Sequence, residues 1–115
     1  MRKIVHTLND KVAVVAPEGK LMGGPETATL CQEVEKLEYA GYRKIVLDLS
    51  KVRWANSSAI GALIKCFLTL RSHGVEFCLA CLSERVHYYM TITKLLQVIP
   101  IFDSLEQALA SPAQA

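Results

Sequence analysis

Residues 45–61 read Ile45-Val46-Leu47-Asp48-Leu49-Ser50-Lys51-Val52-Arg53-Trp54-Ala55-Asn56-Ser57-Ser58-Ala59-Ile60-Gly61. The first five are too few and too rich in branched apolar side chains for a helix, which predicts a buried strand. Ser50 to Ala55 reads as a loop. Asn56, Ser57 and Ser58 are three consecutive N-cap residues, since each carries a short side-chain oxygen able to accept a helix-start amide. Behind them Ile60, Leu63, Ile64, Phe67 and Leu68 recur at helical spacing as far as His73-Gly74. A buried strand therefore feeds a helix through a short connection.

The same reading extends outward in both directions. Lys3 to Thr7 and Val12 to Ala16 are β-rich runs around an Asn9-Asp10 turn signal, which predicts a hairpin. Pro17, Gly19, Gly23, Gly24 and Pro25 punctuate the chain, and Pro25 suits a first helical turn, where its missing N–H is no loss. Leu30, Val34 and Leu37 give Glu26 to Ala40 one apolar helix face, and Gly41 is its stop. Downstream, Val75 to Cys81 reads as a strand, and Ser83 caps a helix carrying Val86, Tyr89, Met90 and Thr93. Val98 to Phe102 is a last strand, placed at a sheet edge by Pro100. Ser104 and Gln107 form a capping box for a helix bearing Leu105, Ala108 and Leu109.

The expected order is β-β-α-β-α-β-α-β-α. Right-handed crossovers turn that order into an α/β fold: a single mixed, mostly parallel β-sheet packed with about four helices. One domain is expected over residues 3–110, with 111–115 as a short C-terminal tail. The 115 residues are 51% hydrophobic and 21% charged. A chain of this size buries roughly two-thirds of its unfolded surface, enough for a core without disulfides or a structural metal. The net charge of +2 is scattered, with no basic run, which argues against nucleic-acid binding. Apolar runs fall short of the ~20 residues a membrane span needs. The N-terminus turns polar too soon for a signal peptide, so a cytoplasmic location and four reduced thiols are expected.

In such sheets, functional sites gather beyond the carboxyl ends of strands. There the chain resembles the STAS domains (sulfate transporter and anti-sigma factor antagonist). Their hallmark is a strand ending in Leu-Asp-Leu, then a Val, an aromatic, and Asp-Ser-Ser/Thr-Gly-Leu-Gly opening a helix. Leu47-Asp48-Leu49, Val52, Trp54, Ser57, Ser58 and Gly61 match, with Ile60 standing in for the Leu. Gly19 with Leu21, and Gly74, fit the flanks. The resemblance implies a bacterial, non-enzymatic, protein-binding regulator without a cofactor, working as a monomer. In the antagonist members the serine after the family's Asp, here Ser57, is phosphorylated by a partner kinase that is also the anti-sigma factor. The implied partners are thus a serine kinase of histidine-kinase-like ATPase fold and a serine phosphatase. Trp54, Asn56, Ser58, Ala59 and Gly61 would form the partner-binding or switch loop.

A helix start suits such a switch. Unpaired N–H groups and the positive dipole end tolerate a phosphate, which brings about −1.5 to −2 charges. A partner packed over it would instead bury an unpaired charge, at several kcal/mol. Two residues depart from the family pattern: Asn56 replaces the Asp and Ala59 the first Gly. Asn keeps the capping oxygen but loses a charge a partner could read. The alternative is a non-phosphorylated STAS interaction subunit of a transporter or sensory complex; a small-ligand sensor for nucleotides or lipids is a third.

Other candidates read as structural. Cys78 and Cys81, three apart in a strand, are expected on opposite faces as small hydrophobes, not as a metal or redox pair. Cys31 and Cys66 are expected to pack within helices. His6, His73 and His87 lie on separate elements, and His73 is about 24 Å along a helix from Ser57, which disfavours a hydrolase. Asp48 is read as a scaffold for the next loop, Trp54 as a plug beneath it, and Gly23-Gly24 as a turn lacking the spacing and lysine of a phosphate loop.

Overall fold

A computed structural model describes residues 5–8, 11–94 and 97–111. The elements are β1 (Val5–Leu8), β2 (Val12–Val15), β3 (Gly19–Leu21), α1 (Pro25–Tyr39), β4 (Lys44–Asp48), β5 (Val52–Ala55), α2 (Ser57–Ser72), β6 (Glu76–Ala80), α3 (Glu84–Ile92), β7 (Ile101–Phe102) and α4 (Leu105–Ala110). Five strands form one sheet in the order β1-β2-β4-β6-β7. β1 and β2 are antiparallel, and every other neighbour pair is parallel. The fold is the mixed α/β sheet with four helices that the sequence predicts. Lys3, the Asn9-Asp10 turn and tail residues 112–115 lie outside the described residues.

Alternation along the central strands sorts the side chains. Val15, Ile45, Leu47, Phe77 and Leu79 point to one face, where they meet Leu30 and Val34 of α1, Ile60, Leu63 and Phe67 of α2, and Val86 and Met90 of α3. Val14, Val46, Cys78 and Ala80 point to the other face and pack on Ala108 of α4. β4 and β6 are therefore covered on both sides, which is why they read as nearly continuous apolar runs. On the α4 side, buried Lys44 donates from Nζ to the Ser111 carbonyl (3.1 Å) and Oγ (2.8 Å), with a Glu76 carboxylate oxygen at 4.0 Å. The chain after α4 is thus tied to the first residue of β4.

The structure corrects three local expectations. Ser50 to Ala55 is not wholly a loop: Val52–Ala55 is a strand paired in parallel with Gly19–Leu21, a two-stranded ladder beside the main sheet. Leu21, Val52 and Ala55 are buried in the helix-side core, so tertiary packing makes strands of segments too short to announce themselves. The Val98–Phe102 strand shrinks to Ile101–Phe102, although the Pro100 carbonyl still accepts from Leu79 N–H, and β7 does lie at the edge. Cys78 and Cys81 do not diverge. Cys81 follows β6 with a left-handed φ of 62°, which turns its side chain back onto the α4-side cluster. The caps agree with the sequence: Ser83 accepts from Val86 N–H, Ser104 from Gln107 N–H, and Gly41 ends α1 with φ 102°.

Leu47→Ala is expected to cost about 2–5 kcal/mol in urea denaturation, because Leu47 is fully buried in a close-packed face. Tyr39→Ala, at a side chain 95% exposed, should change stability by less than about 0.5 kcal/mol.

Candidate functional site

Beyond the carboxyl ends of β3, β4 and β5, three stretches converge: the turn 22–24 before α1, the end of β5, and the first turn of α2. Asn56 joins them. Its Oδ1 accepts from Ala59 N–H at 2.9 Å, so of the three candidate caps it is Asn56 that closes α2. Its Nδ2 donates to the Met22 carbonyl at 2.9 Å, and its backbone N–H donates to the Leu21 carbonyl at 3.1 Å. An Asp here would keep the cap but could not donate to Met22. The departure from the family pattern thus has a structural use.

Ser57 is the first residue of α2 and is exposed. Ser58, next along, is not the cap. Its side chain lies so close to Gly23 that a Cβ there would overlap Ser58 Oγ and Cβ. Gly23 also has φ 83°, so both conformation and space require glycine. Ala59 is fully buried, its methyl filling the helix-side core. Gly61 sits one turn after Ser57 on the exposed side, and a Cβ added there would meet nothing within 4 Å. Ser57 and Gly61 are thus brought together on one surface, whereas Ala59 points inward.

Trp54 is half-buried against the core. Its ring meets Tyr89 edge-on (centroids 5.1 Å, 67°), and the Arg85 guanidinium lies 4.5 Å from its centroid. It packs on the core as expected, but from within β5 and not beneath a loop, with the Arg85 cation over its ring. Asp48 is scaffold: its Oδ1 accepts from Ser50 N–H at 2.9 Å.

Sequence reasoning missed Glu26, whose only local signal was an acidic residue in the first turn of α1. Its Oε1 accepts from Met22 N–H (2.7 Å), Gly24 N–H (3.2 Å) and the Thr27 hydroxyl (3.2 Å). The Met22 amide, above all, holds the Glu26 carboxyl below its ordinary 4.5, and slight desolvation opposes it. Among the described residues no helix is long and apolar enough to cross a membrane.

A STAS domain profile matches residues 3–108. The chain belongs to the STAS domain family. A Thermotoga maritima protein named as a candidate anti-sigma factor antagonist is 30% identical over 106 residues, 90% of this STAS domain chain and 92% of its own. A Thermotoga neapolitana homologue with the same kind of name is 35% identical over 69 residues, 60% of this chain and 61% of its own. The crystal structure of a T. maritima protein with the same kind of name superposes with a TM-score of 0.82 at 24% identity, covering 93% and 91% of the two chains. The anti-sigma factor antagonist SpoIIAA, unphosphorylated, gives 0.68 at 16% identity and 92% of each chain; a phosphorylated form has also been solved. The STAS domain of a Vibrio cholerae SulP transporter gives 0.72 at 18% identity, over 90% and 82%. At these identities the structures establish the shared fold alone.

Asn56→Ala, which removes cap and splint together, should lose about 1–2 kcal/mol of stability by denaturant titration, while Asn56→Asp should lose less. Because Glu26 is depressed in the folded protein, its hold on the turn is complete above pH 4.5 and fades as pH falls through the folded value. Relative to intrinsic exchange, protection of the Met22 and Gly24 amides should fall on acidification in the wild type. In Glu26→Gln it should be weaker from the start and change little with pH.

Proposed function

We propose that this STAS domain is a protein-binding regulator of the anti-sigma factor antagonist type, not an enzyme. It docks a serine kinase of histidine-kinase-like ATPase fold, itself the anti-sigma factor, through the start of α2. Phosphorylation of Ser57 ends docking, and a serine phosphatase restores it. Trp54, Asn56, Ser58, Ala59 and Gly61 build and support the switch surface: Asn56 and Ser58 fix the turn 22–24 against the helix, and Trp54 and Ala59 anchor it from within.

The observation that carries this reading is the pairing of an exposed Ser57 hydroxyl with an exposed, uncovered Gly61 one turn later. A glycine inside a helix is about 1 kcal/mol worse than alanine. None of the described residues crowds that position, so the packing they form gains nothing from the missing side chain. A surface that must come close to another backbone would gain. Met22 (46% exposed) adds an apolar side chain to the turn, and Leu68 (53%) another on the same helix two turns after Gly61. A phosphate on Ser57 would sit at the positive end of α2, costing the free domain little, yet would oppose any partner covering it. A second reading, a non-phosphorylated interaction subunit of a transporter or sensory complex, draws on Asn56, which offers no carboxylate to a kinase.

In a titration against the ATPase partner, Ser57→Ala should bind as the wild type does and Ser57→Asp at least about tenfold more weakly, equivalent to ~1.4 kcal/mol or more. Gly61→Ala should stabilise the free domain by about 0.5–1 kcal/mol while weakening docking. Equal affinity of the two Ser57 variants would eliminate the switch. If the wild type also gained no phosphate on Ser57 from kinase and ATP, the constitutive module would stand.

A further inference from the structure

Cys31 and Cys66, expected as separate packing residues, share a groove of about 230 Å³ between α1 and α2, bordered by Glu35, Glu38, Ala62 and Lys65. Both are partly exposed thiols. The two helices run in step. His73 Nδ1 bonds Glu38 across a sequence separation of 35, and Cys66 follows Cys31 by the same interval. Each helix advances seven residues, about two turns, between the two levels. Side chains at one level therefore face each other, the cysteines two turns above the Glu38–His73 contact. Small Ala62, one turn before Cys66, leaves the groove open at this level.

The Cys66 thiol, as a donor towards the Cys31 sulfur, lowers Cys31 to about 7 against the opposing effects of burial and Glu35. The same interaction, with burial and the carboxylates of Glu35 and Glu38, raises Cys66. Of the two, Cys31 is the thiol that ionises more readily, with Cys66 beside it. The other two cysteines differ: burial pushes Cys78 up to about 11 and raises Cys81 as well. Thiolate character and access decide which cysteine oxidises first.

We propose that Cys31 and Cys66 are an oxidisable pair that closes to a disulfide across the α1–α2 groove when the domain meets a hydroperoxide. The Cys31 thiolate attacks one oxygen of hydrogen peroxide, the O–O bond breaks, and hydroxide leaves to become water, giving a sulfenic acid. Cys66 gives its proton to solvent and attacks the Cys31 sulfur; the S–O bond breaks and a second water departs. Two thiols are oxidised to one disulfide and one peroxide is reduced to two waters. The bond ties α1, which begins at the turn 22–24, to α2, which begins at Ser57.

The test treats the full chain with equimolar hydrogen peroxide, alkylates remaining thiols after denaturation, and maps peptides by mass. The expected product is one intramolecular link joining the Cys31 and Cys66 peptides, with Cys78 and Cys81 alkylated, reversed by dithiothreitol. With dimedone present, Cys66→Ser should accumulate the trapped sulfenic acid on Cys31, and Cys31→Ser should oxidise far more slowly. The wild-type map decides the matter whether or not a variant folds. A Cys78–Cys81 link, a link between molecules, overoxidised Cys31 beside alkylated Cys66, or four alkylated thiols would each overturn the pairing.

Discussion

Everything in this domain is arranged around a strand that has no solvent face. β4 is paired on both edges and packed on both surfaces, with Ile45 and Leu47 turned to three helices and Val46 to a fourth. A strand so placed cannot slip, since a shift of one residue would exchange its two faces. Its buried Lys44 is satisfied by Ser111 and Glu76, so even the charged first residue is fixed. That rigidity sets where β4 ends, and so where the next connection must begin. Asp48 then holds the Ser50 amide, β5 joins β3, and α2 starts at a defined point.

At that point a single amide side chain couples two connections from distant parts of the sequence. Asn56 binds the helix it caps and the carbonyl of Met22, while Glu26 gathers the turn from the other side. Ser58 and Gly23 interlock without room for a methyl group. The turn and the helix start therefore behave as one surface. For a binding domain this matters energetically, because a surface ordered before contact loses less conformational freedom on docking. The outward side of that surface carries Ser57 and Gly61, and its inward side carries Ala59 and Trp54.

Much of this was legible in the residues. The apolar run 45–47, the helical spacing from Ile60 to Phe67 and the caps at Ser83 and Ser104 all translate directly, because each rests on a local rule. What was not legible depended on partners far away in the chain. Val52–Ala55 becomes a strand only because Gly19–Leu21 lies beside it. Asn56 prevails over Ser57 and Ser58 as the cap because Met22 holds its amide, and no local rule ranks the three. Cys81 turns back towards Cys78 through one left-handed residue that alternation cannot foresee. The level pairing of Cys31 with Cys66 requires the relative register of two helices that are separated by β4 and β5. Ser57 and Gly61, by contrast, were singled out by the motif, and the helix lays them on one side.

The outermost strand on one side of the sheet is β7, only two residues long and reached through Pro100. Strand addition, by which an exposed sheet edge recruits an extended peptide, needs a run of free amides and carbonyls. So short an edge gives an incoming strand almost nothing to zip onto, and equally little to seed a fibril. Recognition is thereby steered away from that rim and towards helical and turn surfaces, where it can be governed by individual side chains.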